Sequence, residues 1–212
     1  MKKLMIYAIF AFMSAGCISV SGSPNPRFYM LSSVDRDKAS PVLNIPASTI
    51  IEIGPVTIPP YLDRPQMVTQ DKNKMVTFAE FDRWGEPLDS GLERLLVENL
   101  TLMLPGASLQ MFPSNFAIPL NYQVIISVVQ LEGDLSKDLL FITQWSIIDS
   151  QNRKMVLTKR SQFTCPIKPH NYSGLAGALS AACVSLSSEI AENLFRVANQ
   201  QRPQEDTKSQ PN

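Results

Sequence analysis

Three cysteines, a single histidine and one run of five carboxylates hold most of the chemistry open to this 212-residue chain. His170 is the only imidazole, which removes any two-histidine metal motif and any Ser/His or Cys/His pair built on a second, better-placed base. Set between Pro169 and Asn171, it reads as a loop or helix-entry residue. Glu80, Asp82, Glu86, Asp89 and Glu93 crowd together, but their spacing fits no calcium loop and Arg83 and Arg94 interleave, so they read as a solvated face. No catalytic residue, metal site or cofactor is expected. Cys165 and Cys183 are an even pair without the CxxC spacing of a redox enzyme. Two readings stay open for them: a disulfide, which would close a 19-residue loop and stabilise the fold by about 3 kcal/mol, or two buried thiols.

Cys17 stands apart, because of what precedes it. Lys2 and Lys3 lead into an apolar run from Leu4 to Met13, followed by Ser14-Ala15-Gly16-Cys17. A basic start, a short hydrophobic stretch and small residues before a cut describe an export signal. As a helix the run would extend only about 15 Å, half of a bilayer core of about 30 Å, so it is too short to remain as a span. Small residues ending at a cysteine resemble the bacterial lipobox, in which Cys17 becomes the acylated first residue of the mature chain; Ser14 departs from the usual Leu. Ile18 lacks the acidic character of an inner-membrane retention signal, which favours the outer membrane. Residues 1–16 are thus read as signal peptide and 17–26, rich in Ser, Gly and Pro, as a tether.

The elements that must position everything else lie between residues 27 and 199, read as one domain. The whole chain has 19 basic and 19 acidic residues; losing Lys2 and Lys3 leaves 17 against 19, a net of −2, and no run supplies the basic surplus that phosphate binding needs. Nucleic acid is therefore not an expected partner. Phe28 to Leu31 and Thr49 to Ile58 read as strands, and Gln66 to Gln70 with Met75 to Ala79 as a hairpin. After Pro87, apolar residues from Leu88 to Leu104 recur at three- and four-residue spacing and predict a helix, with Ser90 and Glu93 fitting a capping box. Ser108 to Phe112 reads as a further strand. Asn121 to Leu131, Leu139 to Asp149 and Lys154 to Thr164 predict an antiparallel meander, and a long helix follows from about Ser173 to Asn199. The fold class is α+β: a largely antiparallel mixed sheet with two main helices packed on one face. Residues 200–212 carry no hydrophobic side chain and read as a tail.

Pro59, Pro60 and Pro65 bracket Tyr61-Leu62-Asp63-Arg64, a stiffened loop presenting an aromatic. Tyr61, Leu62 and Trp84 are candidates for a partner interface, with core packing as the competing reading. Two segments go further. Ile53-Gly54-Pro55-Val56-Thr57-Ile58-Pro59-Pro60-Tyr61-Leu62-Asp63-Arg64-Pro65-Gln66-Met67-Val68 and Arg83-Trp84-Gly85-Glu86-Pro87-Leu88-Asp89-Ser90-Gly91-Leu92, with Phe28-Tyr29-Met30-Leu31 before and Leu186-Ser187-Ser188-Glu189-Ile190-Ala191 after, resemble the ABC-type transport auxiliary lipoproteins of the PqiC/YmbA type. That resemblance implies a non-enzymatic lipoprotein on the periplasmic face of the bacterial outer membrane. It would serve an intermembrane lipid transport system, docking an MCE-domain protein and supporting membrane integrity, and self-association is compatible with it. The other reading open at this stage is a stand-alone lipoprotein that binds a lipophilic ligand or assists outer-membrane protein assembly.

Overall fold

The computed structural model describes residues 24–71, 73–114 and 119–200. The segment read as signal peptide, Cys17, most of the segment read as tether and residues 201–212 lie outside the described residues. In chain order the elements are β1 (Arg27–Tyr29), β2 (Ile50–Thr57), β3 (Gln66–Gln70), β4 (Val76–Trp84), α1 (Leu88–Met103), β5 (Ser108–Met111), β6 (Tyr122–Gly133), β7 (Asp138–Asp149), β8 (Lys154–Pro166) and α2 (Tyr172–Gln200).

The strands form two sheets, where the sequence suggested one. The larger has the order β5-β2-β6-β7-β8, and the smaller β1-β4-β3. β6, β7 and β8 make the expected antiparallel meander, with long ladders that each carry one register shift. β2, however, runs parallel to both β5 and β6, and β1 parallel to β4. Parallel neighbours need crossovers, which alternation along a strand does not reveal. Period-two burial carries the core: Val124, Ile126 and Val128 on β6 and Phe141, Thr143, Trp145 and Ile147 on β7 all point inward. α1 lies over β2 and β5, α2 over β7 and β8, and the helices pack on each other, so the fold is α+β as expected.

α2 buries Leu175, Leu179, Cys183, Leu186, Ile190 and Leu194 along one stripe. Although long and apolar enough to cross a membrane, it is the core helix of the domain. Its small residues let α1 approach closely, and there the buried Asn99 donates to Ser187 Oγ while its own oxygen accepts the Val34 N–H. α1 does not start with the expected capping box. Pro87 occupies the N-cap position without a side-chain cap, so Ser90 falls inside the first turn and Glu93 turns into the protein.

Candidate functional site

β2 is interrupted where the sequence places Gly54-Pro55. The register with β6 shifts between Ile53 and Val56, and Gly54 has φ +113°, a conformation that side-chain-bearing residues rarely adopt. Glu93 of α1 fits against this bulge: a Cβ on Gly54 would lie 2.8 Å from its carboxylate. Burial pushes the Glu93 carboxyl upward, Asp89 and Glu52 push the same way, and hydrogen bonds from the Phe112 and Val56 backbone oppose them.

After the bulge the chain enters the proline-rich loop. The Leu62 N–H donates to Pro59 at 2.9 Å and the Arg64 N–H to Leu62 at 2.8 Å, a tight turn that points Leu62 inward. Pro65 then accepts the Trp84 N–H at 2.8 Å, which joins this loop to the end of β4. Gly85 donates to Tyr29 at 2.8 Å and lies so close under Met30 that a Cβ would meet its sulfur. Between the two segments opens a cleft of about 320 Å³, lined by residues 63–65 and 84–88.

Leu62 is only 2% exposed and Trp84 7%, so the three candidate interface residues are not a free aromatic surface. Tyr61 is half-buried and donates its hydroxyl to the Leu131 carbonyl at 3.2 Å, tying the loop to β6. Trp84 contributes to the wall of the cleft, while Asp63, Pro65 and Pro87 face solvent. Arg64 lies along that rim with its guanidinium 3.9 Å over the Phe78 ring, and its Nε is buried without a partner.

The carboxylates form no uniform solvated face, because two of the five are buried. Asp82 receives a two-pronged hydrogen bond from Arg27 at 2.8 and 2.7 Å and another from the Tyr29 hydroxyl at 2.8 Å. Burial alone would raise the Asp82 carboxyl, but these donors outweigh it and hold it below the usual carboxylate range. Glu93 is the second, behind Gly54. Glu86, at the cleft, is held by Arg94, which reaches it at 2.7 Å, Glu98 at 2.9 Å and the Leu31 carbonyl at 3.0 Å. That guanidinium therefore ties the β4–α1 connection, α1 and the N-terminal segment together. His170 is exposed, with Nδ1 2.9 Å from the Leu135 carbonyl. Cys165 and Cys183 are free thiols, so no bridge joins β8 to α2. Burial raises the Cys183 thiol strongly and Cys165 in the same direction, which keeps both protonated.

The family model described as "ABC-type transport auxiliary lipoprotein component" matches residues 29–191, most of the chain and both walls of the cleft. The chain belongs to this family. Two curated relatives, each named intermembrane transport lipoprotein PqiC, come from Escherichia coli strain K12 and Shigella flexneri. Each is 33% identical over 106 residues, 50% of this chain and 54% of the relative. The aligned stretch thus spans about half the length of these relatives. Among solved structures, an uncharacterized protein superposes with a TM-score of 0.66 at 18% identity over 81% of this chain and 99% of its own. XCC0632 from Xanthomonas campestris follows with 0.65 at 14% identity over 82% and 98%. These two share the fold. Within the family's matched span, sequence reasoning missed the Arg64–Phe78 stack and the Glu93–Gly54 contact. A Gly-Pro pair inside a strand pattern was the available signal for the second.

Proposed function

We propose that this family member is a non-catalytic, lipid-anchored subunit of an intermembrane transport complex. Acylated Cys17 would hold it on the periplasmic face of the outer membrane, and the cleft would receive the end of an MCE-domain partner. The observation that carries this reading is convergence: the two segments bearing the family resemblance, brought side by side by the β3–β4 hairpin, supply both walls of the cleft. Pro65, Pro87 and Leu88 offer apolar walls to a peptide segment, and Asp63, Arg64 and Glu86 offer charges that fix its orientation. The walls are rigid, because a Trp in the core, an arginine network and a backbone bond from Trp84 to Pro65 hold them. Docking onto such a surface loses little conformational entropy. Lipid passing between the membranes would then be delivered at a fixed distance from the anchor.

Asp63→Arg tests the site, since Asp63 is exposed and its reversal leaves the core alone. Affinity for the MCE-domain partner is expected to fall at least about tenfold with an unchanged melting temperature. Cys17→Ser is expected to move the protein from the membrane to the soluble periplasmic fraction. Recovery of the MCE protein at wild-type levels with a folded Asp63→Arg variant would place the interface elsewhere, and an unmodified N-terminus in the wild type would remove the anchor.

A further inference from the structure

The small sheet carries an unusual share of exposed apolar side chains. Of ten large hydrophobic residues exposed among the described residues, Phe28, Met30, Met75, Val76 and Phe78 belong to its strands or to positions adjoining their ends. Phe28 and Met75 are each 62% exposed and Phe78 45%.

The register gathers three of them on one side. Directly paired residues share a face, and Phe28 pairs with Arg83, Arg83 with Gln66, Phe78 with Val68 and Val76 with Gln70. Gln66, Val68 and Gln70 alternate along β3, while the irregularity between the first two pairs places its extra residues on β4. Phe28, Phe78 and Val76 therefore stand on one face, about 13 Å from end to end. Val68 is buried, so the exposed part of that face is its β1–β4 side and the hairpin tip. Met67 points the other way, into the core.

We propose that this face rests on the phospholipid surface that holds the anchor, with Phe28 and Phe78 seated at the boundary between headgroups and acyl chains. The inference rests on the lipid-anchored reading above. Two observations select lipid as the occupant. β1 is the first element among the described residues, and Phe28 follows Cys17 by eleven residues, which even fully extended span less than about 40 Å. Among the described residues, Phe28 is thus the exposed large apolar side chain closest to the anchor along the chain. The cations fit as well: Arg83 stands between Phe28 and Gln66 in their row, and Arg64 covers Phe78, each with a buried Nε that has no partner. Neither forms a salt bridge among the described residues. Guanidinium groups beside exposed aromatics match an anionic phosphate layer over hydrocarbon. One acyl-type anchor fixes distance only; an added protein contact would also fix orientation, turning the cleft to a set direction.

The test uses the acylated full-length protein, reconstituted in phosphatidylethanolamine/phosphatidylglycerol vesicles containing acyl chains brominated near the headgroup. Single variants Phe28→Trp, Phe78→Trp and Met155→Trp report contact, because Trp84 and Trp145 are buried and give a constant background. Met155 is the control. It pairs with Ile148, which pairs with Gln123, at the end of the large sheet opposite Glu132, where the hairpin's Lys74 binds at 2.9 Å. Nine residues of strand separate these ends, about 30 Å. Emission added by Phe28→Trp and Phe78→Trp is expected to fall by about half on bromination, and that added by Met155→Trp to be unaffected. An acylated N-terminal peptide by mass spectrometry with equal quenching at all three sites, or with none, overturns the inference while leaving the anchor intact. An unacylated N-terminus overturns the anchoring reading and this inference with it. Absence of quenching in vesicles combined with a blue shift of Phe28→Trp only in the complex with the MCE-domain partner would assign the face to protein, and also overturns it.

Discussion

Gly54→Ala probes the contact that sets α1 on β2. Two costs arise at once. The backbone there has φ +113°, where an L residue is strained by about 1–3 kcal/mol. The new methyl would also stand 2.8 Å from Glu93 Oε2 and 2.8 Å from Phe112 Cβ, against an ordinary contact of about 3.5–4.0 Å. Neither neighbour yields freely: the Glu93 carboxylate is buried and held by backbone groups, and a Cβ moves only with its backbone. Overpacking of that kind costs about 1–3 kcal/mol, so the total is about 4 kcal/mol. For a domain of this size that is about 8–15 °C in melting temperature. Urea unfolding at neutral pH should show the midpoint fall with an unchanged slope. Glu93→Ala in the same chain relieves one of the two clashes but not the backbone strain, so the double-mutant cycle should return a coupling of about 1 kcal/mol. A Gly54→Ala protein within about 0.5 kcal/mol of wild type would refute the left-handed bulge and the seat it makes for α1.

Trp84→Ala should lower stability by about 3–5 kcal/mol, because the ring is core; an unchanged melt accompanied by lost partner binding would restore it as an interface anchor. Glu93 has its carboxyl raised on folding, so the native state binds the proton more tightly than the unfolded chain, and the resulting penalty grows as pH rises through the folded value. Glu93→Gln is therefore expected to raise the melting temperature at about pH 7 and to leave it unchanged at about pH 3; a loss at neutral pH would show that the charged form is the stabilised one. Titration of the denatured, unreduced protein should find Cys165 and Cys183 both reactive, and reductant should not move the melting curve; a shift on reduction would reinstate the disulfide.

Elements were legible in the sequence where one physical signal dominates. The meander from Tyr122 to Pro166 shows period-two burial and short polar turns, and both helices show apolar stripes, so their boundaries lie within a residue or two of expectation. What stayed hidden depends on partners remote in sequence. Nothing local to Phe28 or Asp82 announces that Arg27 will lie parallel to β4 and neutralise a carboxylate 55 residues away. Glu93 reads as a capping residue until Pro87 takes the N-cap and Gly54 leaves room for it.

The same remoteness bears on the candidate docking residues. Tyr61, Leu62 and Trp84 drew attention as large side chains among prolines and glycines, yet size and apolarity are also what a core recruits. Burial of Leu62 and Trp84 makes the two segments stiff, and stiffness leaves small and charged neighbours, Asp63, Pro65 and Pro87, on the outside. A rigid rim presented by buried anchors is a better receiver than exposed aromatics in a free loop, since no side chain has to be ordered when the partner arrives. Phe28 and Phe78, two of the three exposed phenylalanines among the described residues, lie elsewhere, on the small sheet. Arg64 lines the cleft and also covers Phe78, so the rim of the cleft and the apolar face adjoin at that side chain, and a partner seated in the cleft would lie beside whatever covers the face.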